Sequence, residues 1–156
     1  MQLGPGRRLE HNGPMPARFP TFRSVVLDTP DARGLAEFYR QLLGYEYRPG
    51  DEPPPPGDPD PAGHDWLVLV DHAGHPRLSF QQVERLERST WPDARVPQQL
   101  HLDLSVPTVE DLAAQHQRAT SLGARLLHDD SANPVEPLYV FADPAGHPFC
   151  IFVAPA

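Results

Sequence analysis

The sequence predicts an α+β fold: two βαβββ modules that pair into an incomplete barrel around a cavity, with the helices outside. Three observations carry the prediction. Strand, helix and three strands follow one another twice, read from apolar alternation and helical spacing. The two copies share letters at matched positions. Polar residues alternate with apolar ones on the first strand of the second copy, as on a sheet with a core behind it and a cavity in front.

Residues 1–20 carry Gly, Pro and Arg without periodicity and read as a flexible N-terminal extension. The domain is expected over 21–156, with modules at about 21–84 and 98–156. Phe22–Asp28 reads as a strand from its β-branched run. Thr29, Pro30 and Asp31 signal a helix start. Leu35, Phe38, Tyr39, Leu42 and Leu43 recur at helical spacing, and Gly44 is the expected C-cap. Tyr45–Arg48 begins a second strand.

Residues 49–63 are proline-rich and form neither helix nor central strand, because proline removes a backbone donor and fixes φ. They make a long loop, either a tolerated surface insertion or a cover over a pocket mouth. Asp65–Val70 and Arg77–Val83 read as a strand pair, and Ser89–Pro97 as a connector carrying Trp91. Gln98–Val106 is a strand with Leu100, Leu102, Leu104 and Val106 on one face and His101, Asp103 and Ser105 on the other. Glu110–Leu122 is a helix ending at Gly123. Ala124–His128, Leu138–Phe141 and Phe149–Val153 complete the strands.

Setting Ser24 against His101, about 77 residues on, brings Pro30 to Pro107, Leu35 to Leu112 and Ala36 to Ala113. Gly44 meets Gly123 after a short slip. Asp71-His72-Ala73-Gly74-His75-Pro76 mirrors Asp143-Pro144-Ala145-Gly146-His147-Pro148. This last match sets Leu78 against Cys150. Alternation instead sends Leu78 and Phe80 to the core and Ser79 and Gln81 to the cavity. The second register is favoured, since burying Arg77 and Ser79 strands polar groups; a β-bulge reconciles the two.

The formal charge is −8, from 21 acidic and 13 basic residues, with no basic stripe interleaved with aromatics. Nucleic acid and anionic membrane surfaces are therefore not expected partners. The single cysteine, Cys150, makes no intrachain disulfide and fits a reducing, cytoplasmic setting. No signal-peptide shape, phosphate-binding loop, nucleophile elbow or Cys-x-x-Cys pair is present.

Several runs resemble the vicinal-oxygen-chelate superfamily, in its glyoxalase/bleomycin-resistance-like form common in actinobacteria. They are Glu37-Phe38-Tyr39, Leu43-Gly44-Tyr45, Leu78-Ser79-Phe80-Gln81, Gln99 to Leu104, Leu122-Gly123-Ala124 and Phe141 to Cys150. The resemblance spans roughly residues 20–155. It implies a small-molecule pocket and a homodimer. Metal-using members supply four ligands, and the matching positions here are Ser24, a residue near Gln81, His101 and Cys150. Only His101 keeps a usual ligand type. Hard divalent ions want imidazole or anionic oxygen, so no metal is expected; if one binds, His101, Gln81 and Cys150 are the candidates.

The candidate ligand-binding residues are His101, Asp103, Gln81, Cys150, Ser24, Trp66, Trp91 and Phe152. His101 is either a pocket base or a histidine tied to Asp103. Cys150 reads more readily as a small buried hydrophobe than as a nucleophile. Trp66 either stacks on a ligand or packs in the core, and Trp91 lines a pocket or an interface. Three functions compete. The first is a metal-independent binder of a small organic molecule. The second is a lyase, isomerase or dioxygenase working through His101, with or without metal. The third is a structural or interaction role with the cavity filled by Phe22, Phe80, Phe152 and Trp66. Fold kinship does not choose among them.

Overall fold

The computed structural model describes residues 20–154. The expected N-terminal extension lies outside these residues, apart from its last residue. The chain runs β1 (Val25–Thr29), α1 (Ala32–Leu43), β2 (Glu46–Tyr47), a short 3-10 turn, β3 (Trp66–Val70) and β4 (Pro76–Gln82). The second half repeats the order: β5 (Leu102–Val106), α2 (Val109–Ser121), β6 (Arg125–Asp130), β7 (Leu138–Ala142) and β8 (Pro148–Val153). The two modules make two four-stranded mixed sheets, ordered β1-β4-β3-β2 and β5-β8-β7-β6. The expected α+β duplication is present, with the sheets open and, among the described residues, unjoined by any backbone ladder.

The helices begin and end where local chemistry dictates. The Asp31 carboxylate accepts from the Gly34 amide at 2.9 Å, and Gly44 closes α1 with φ 68° in the left-handed region. Thr108 caps α2 by accepting from the Asp111 amide at 3.1 Å. Helical spacing buries Leu35, Ala36, Phe38, Tyr39 and Leu42 on one stripe of α1, whereas α2 buries only Leu112 and Ala119.

One core serves both modules. Tyr39 stacks on Phe80 of the first sheet (6.0 Å between ring centroids) and lies edge-on to Phe149 of the second (6.2 Å). Its hydroxyl donates to Asp143 at 2.9 Å, across 104 residues. The Arg118 guanidinium of α2 donates to the carbonyls of Gln41 and Leu42 at the end of α1. The helices thus stand behind the open sheet faces, and they also carry the contact between modules.

The register of β4 follows the hydrophobic alternation. Leu78 and Phe80 are buried against α1. Leu69 pairs with Leu78 and Val70 with Pro76, which leaves Arg77 unpaired as a bulge. The second hairpin has no such insertion: Phe141 pairs with Phe149 and Ala142 with Pro148. The extra residue makes the letter repeat and the alternation disagree by one position.

Two strands start later than the sequence suggests. β1 begins at Val25, and Phe22 is 79% exposed, with no strand partner among the described residues. β5 begins at Leu102, because its partner β8 pairs from Phe149 onward. Leu100 therefore leaves the expected core face and is 41% exposed. The proline-rich segment is fastened to α1. Arg33 grips the Asp60 carboxylate at 2.8 and 3.0 Å and the Asp51 carbonyl at 2.8 Å, while the buried Asp51 carboxylate accepts from the Val68 amide at 2.8 Å.

Candidate functional site

Residues directly opposite one another on paired strands share a sheet face. On the first sheet, β4 aligns Gln81 with Asp28 of β1 and with Trp66 of β3. A carboxylate, an amide and an indole therefore stand in a row on the face turned away from the helices. A cleft of about 380 Å³ opens over this row. The segment between β4 and β5 also lines it, through Leu86, Glu87 and Gln98–Leu100, as do Gly146 and His147 at the β7–β8 turn. The proline-rich loop takes no part in the lining of this cleft.

The β7–β8 turn is held firmly. The buried Asp143 carboxylate accepts from the amides of Ala145, Gly146 and His147 at 2.9, 2.8 and 3.0 Å. Burial, reinforced by the Asp143 charge, pushes the Tyr39 phenol well above its ordinary range. Arg88 of the connector donates to the Pro144 carbonyl, and a Cβ on Gly146 would meet Arg88 side-chain atoms at 2.7 Å. The close approach of connector and turn therefore needs a glycine there, which also takes φ 101°.

The open face of the second sheet holds a different group. His101 Nε2 and Cys150 Sγ both reach Asp103 Oδ1, at 3.2 and 2.7 Å. The ligand atoms of the three side chains lie within 4.8 Å of one another, the only such cluster among the described residues. Partial burial, then the Asp103 hydrogen bond and charge, push the Cys150 thiol up to about 12. It is a protonated donor at neutral pH and a poor nucleophile. In donor chemistry an imidazole, a carboxylate and a thiol that can ionise suit zinc better than a hard ion.

The eight residues named from sequence fall into separate places. Gln81 and Trp66 line the cleft. His101, Asp103 and Cys150 form the cluster, and Phe152, half-buried, shares that sheet face. Ser24 pairs with the Ser79 hydroxyl at 3.0 Å. Trp91 lies half-buried on the connector and does not line the cleft. Of the four ligand positions, Ser24 is bonded to Ser79, and His101 and Cys150 meet at Asp103. In the first module Ser79, not Gln81, is the counterpart of Cys150: Ser79 pairs with Val26 as Cys150 pairs with Asp103. Phe80 is in the core and Phe22 at the surface, so the four aromatics do not gather to fill a cavity. Sequence reasoning missed Asp28 and Glu87. Asp28 was hidden at the strand end beside the helix-start signal, and only the bulge-corrected register sets it beside Gln81.

Among the described residues, no helix is long and apolar enough to cross a membrane. No curated protein matches the chain. Solved structures do. A glyoxalase/dioxygenase from Nostoc punctiforme aligns over 91% of this chain and 96% of its own, with TM-score 0.62 and 17% identity. The genomically encoded fosfomycin resistance protein FosX from Listeria monocytogenes aligns over 87% and 94%, with TM-score 0.61 and 12% identity. A glyoxalase/bleomycin resistance protein/dioxygenase family enzyme from Burkholderia phytofirmans PsJN aligns over 83% and 95%, with TM-score 0.59 and 18% identity. At these identities the likeness is one of fold. The family model described as a glyoxalase-like domain matches residues 24–152. With the duplicated βαβββ sheets, that match establishes that the chain belongs to the glyoxalase-like domain family of the vicinal-oxygen-chelate superfamily.

Proposed function

We propose that this protein binds a small organic molecule in the cleft over Trp66, Gln81 and Asp28, without needing a metal. The supporting observation is the cleft itself: room for a small ligand, apolar walls and a few convergent polar groups on a rigid sheet. In the first module, the positions matching the superfamily's metal ligands hold two serine hydroxyls bonded to each other, which are weak donors for a cation. The test is a thermal-shift screen of the metal-free protein against natural products and drug-like compounds. Hits that vanish in Trp66→Leu support the proposal; a flat response across the panel sinks it.

The His101–Asp103–Cys150 cluster favours a second reading, an enzyme in which these three residues would hold zinc and the ion would supply Lewis acidity. Metal analysis of protein purified without added metal decides between them. One equivalent of zinc, lost in Cys150→Ser, supports the enzyme. The resemblance also suggests a homodimer working in the cytoplasm. In a single chain His101 and Asp103 lie exposed on the second sheet, and a second chain is the natural cover for that face. Light scattering giving twice the 17.4 kDa chain mass supports this; the monomer mass contradicts it.

A further inference from the structure

The charges around the cleft narrow the kind of ligand it takes. Asp28 and Glu87 both line it, and neither carboxylate has an ion-pair or hydrogen-bond partner among the described residues. Of the basic groups in the lining, the His147 ring is bonded to the buried Asp143, and Arg88 keeps its charge while donating to the neutral Pro144 carbonyl. Two carboxylates against one guanidinium leave the cleft with an excess of negative charge. Its aromatic surface is Trp66, half-buried, and Leu86 and Leu100 add to the apolar lining.

The sheet fixes how these groups are spaced. Asp28, Gln81 and Trp66 occupy one register line on three adjacent strands. Adjacent strands are about 4.8 Å apart, so the carboxylate and the indole stand roughly 10 Å apart at the backbone, with an amide between them. A flat ring lying on Trp66 can carry a cationic group on a short tether across Gln81 to Asp28. Gln81 supplies one donor and one acceptor on the way. The indole face also attracts a cation that approaches it.

We infer that the cleft selects a protonated arylalkylamine, its ring on Trp66 and its ammonium between Asp28 and Glu87. This deepens the binding proposal above and rests on it. Anionic ligands are disfavoured by the two carboxylates, which outnumber the Arg88 guanidinium, and neutral ring compounds bind through Trp66 alone.

The experiment compares three probes sharing one ring: tryptamine, tryptophol and indole-3-acetate, titrated calorimetrically into the full chain at low salt. Tryptamine is expected to bind at least about tenfold more tightly than tryptophol, with indole-3-acetate weakest. Raising the salt weakens tryptamine and leaves tryptophol unchanged. Asp28→Asn brings tryptamine down toward tryptophol, and Trp66→Leu weakens both. Asp28 is exposed, so its variant is expected to fold, and the salt series on the unaltered chain stands independently. Equal affinity for tryptamine and tryptophol, a preference for indole-3-acetate, or no binding of any probe overturns the inference. If the compound panel still gives Trp66-dependent hits after any of these results, only the ligand class falls and the binding proposal stands.

Discussion

The two modules have the same backbone plan and opposite chemistry at matched positions. Ser24 corresponds to His101, Val26 to Asp103 and Ser79 to Cys150, each set reading along the first and last strands of its module. In the first module two hydroxyls satisfy each other and the useful groups lie further along, at Asp28, Gln81 and Trp66. In the second, a carboxylate holds an imidazole and a thiol together. The hairpin turns diverge in the same manner. Asp71 and Asp143 each accept amide hydrogen bonds within their own turn. Asp71 then pairs with exposed Arg77 at the surface, while Asp143 is buried and takes the Tyr39 hydroxyl from the other module. Duplication preserves the turn, and burial decides what the turn is used for.

The hairpins give the sharpest way to break this comparison. Asp143→Ala strands the Ala145 and His147 amides, the His147 ring and the Tyr39 hydroxyl, and is expected to cost about 3–4 kcal/mol in urea unfolding. Tyr39→Phe removes one of these bonds and is expected to cost about 1–2 kcal/mol. Asp71→Ala, at the surface, leaves the unfolding midpoint close to that of the unaltered protein. Equal losses for Asp71→Ala and Asp143→Ala would show that the turn, and not the junction between modules, sets the stability.

The cysteine tests the second open face. With its thiol pushed up to about 12, Cys150 carries little thiolate at pH 8. The greater nucleophilicity of a more basic thiolate returns part of that loss, so alkylation by iodoacetamide should run on the order of a hundredfold slower than for a free cysteine. The sign is fixed: a raised thiol is protonated through neutrality, and its alkylation rate keeps climbing past pH 10. Asp103→Asn removes the carboxylate that holds the proton and should shift the rate profile to lower pH. A profile that levels off near pH 9 in the unaltered chain would show that Asp103 does not hold the thiol.

Much of the fold was legible because local signals agreed. Asp31 and Gly44 bracket α1 by capping chemistry, and the apolar stripe between them needs no partner to be read. The bulge was legible as a conflict between two kinds of periodicity, one in letters and one in hydrophobicity. Strand starts were not, because Phe22 and Leu100 look apolar enough but lack a neighbouring strand, which sequence alone does not supply. The candidate site was half legible for a similar reason. Alternation turned His101, Asp103, Ser79 and Gln81 toward the open faces, but which of them meet depends on cross-strand register. The shared hydrogen bonds of Asp103, and the row of Asp28 with Gln81 and Trp66, exist only once strands are paired.

Deleting Arg77 removes the one residue by which the first hairpin exceeds the second. Pro76 and Leu78 would then become neighbours, as Pro148 and Phe149 are, and still oppose Val70 and Leu69. Leu78 and Phe80 stay on the core face, because the deletion lies on the turn side of the bulge. The loss is an exposed ion pair with Asp71, worth little at the surface. The shortened chain is expected to fold with its stability changed by about 1 kcal/mol or less and its probe binding intact. Deleting Ser79 instead reverses the faces of the residues on one side of it, driving Gln81 toward the core and Phe80 toward solvent, and should abolish folding. If both deletions prove equally harmful, the bulge is an integral part of the strand and not an insertion in it.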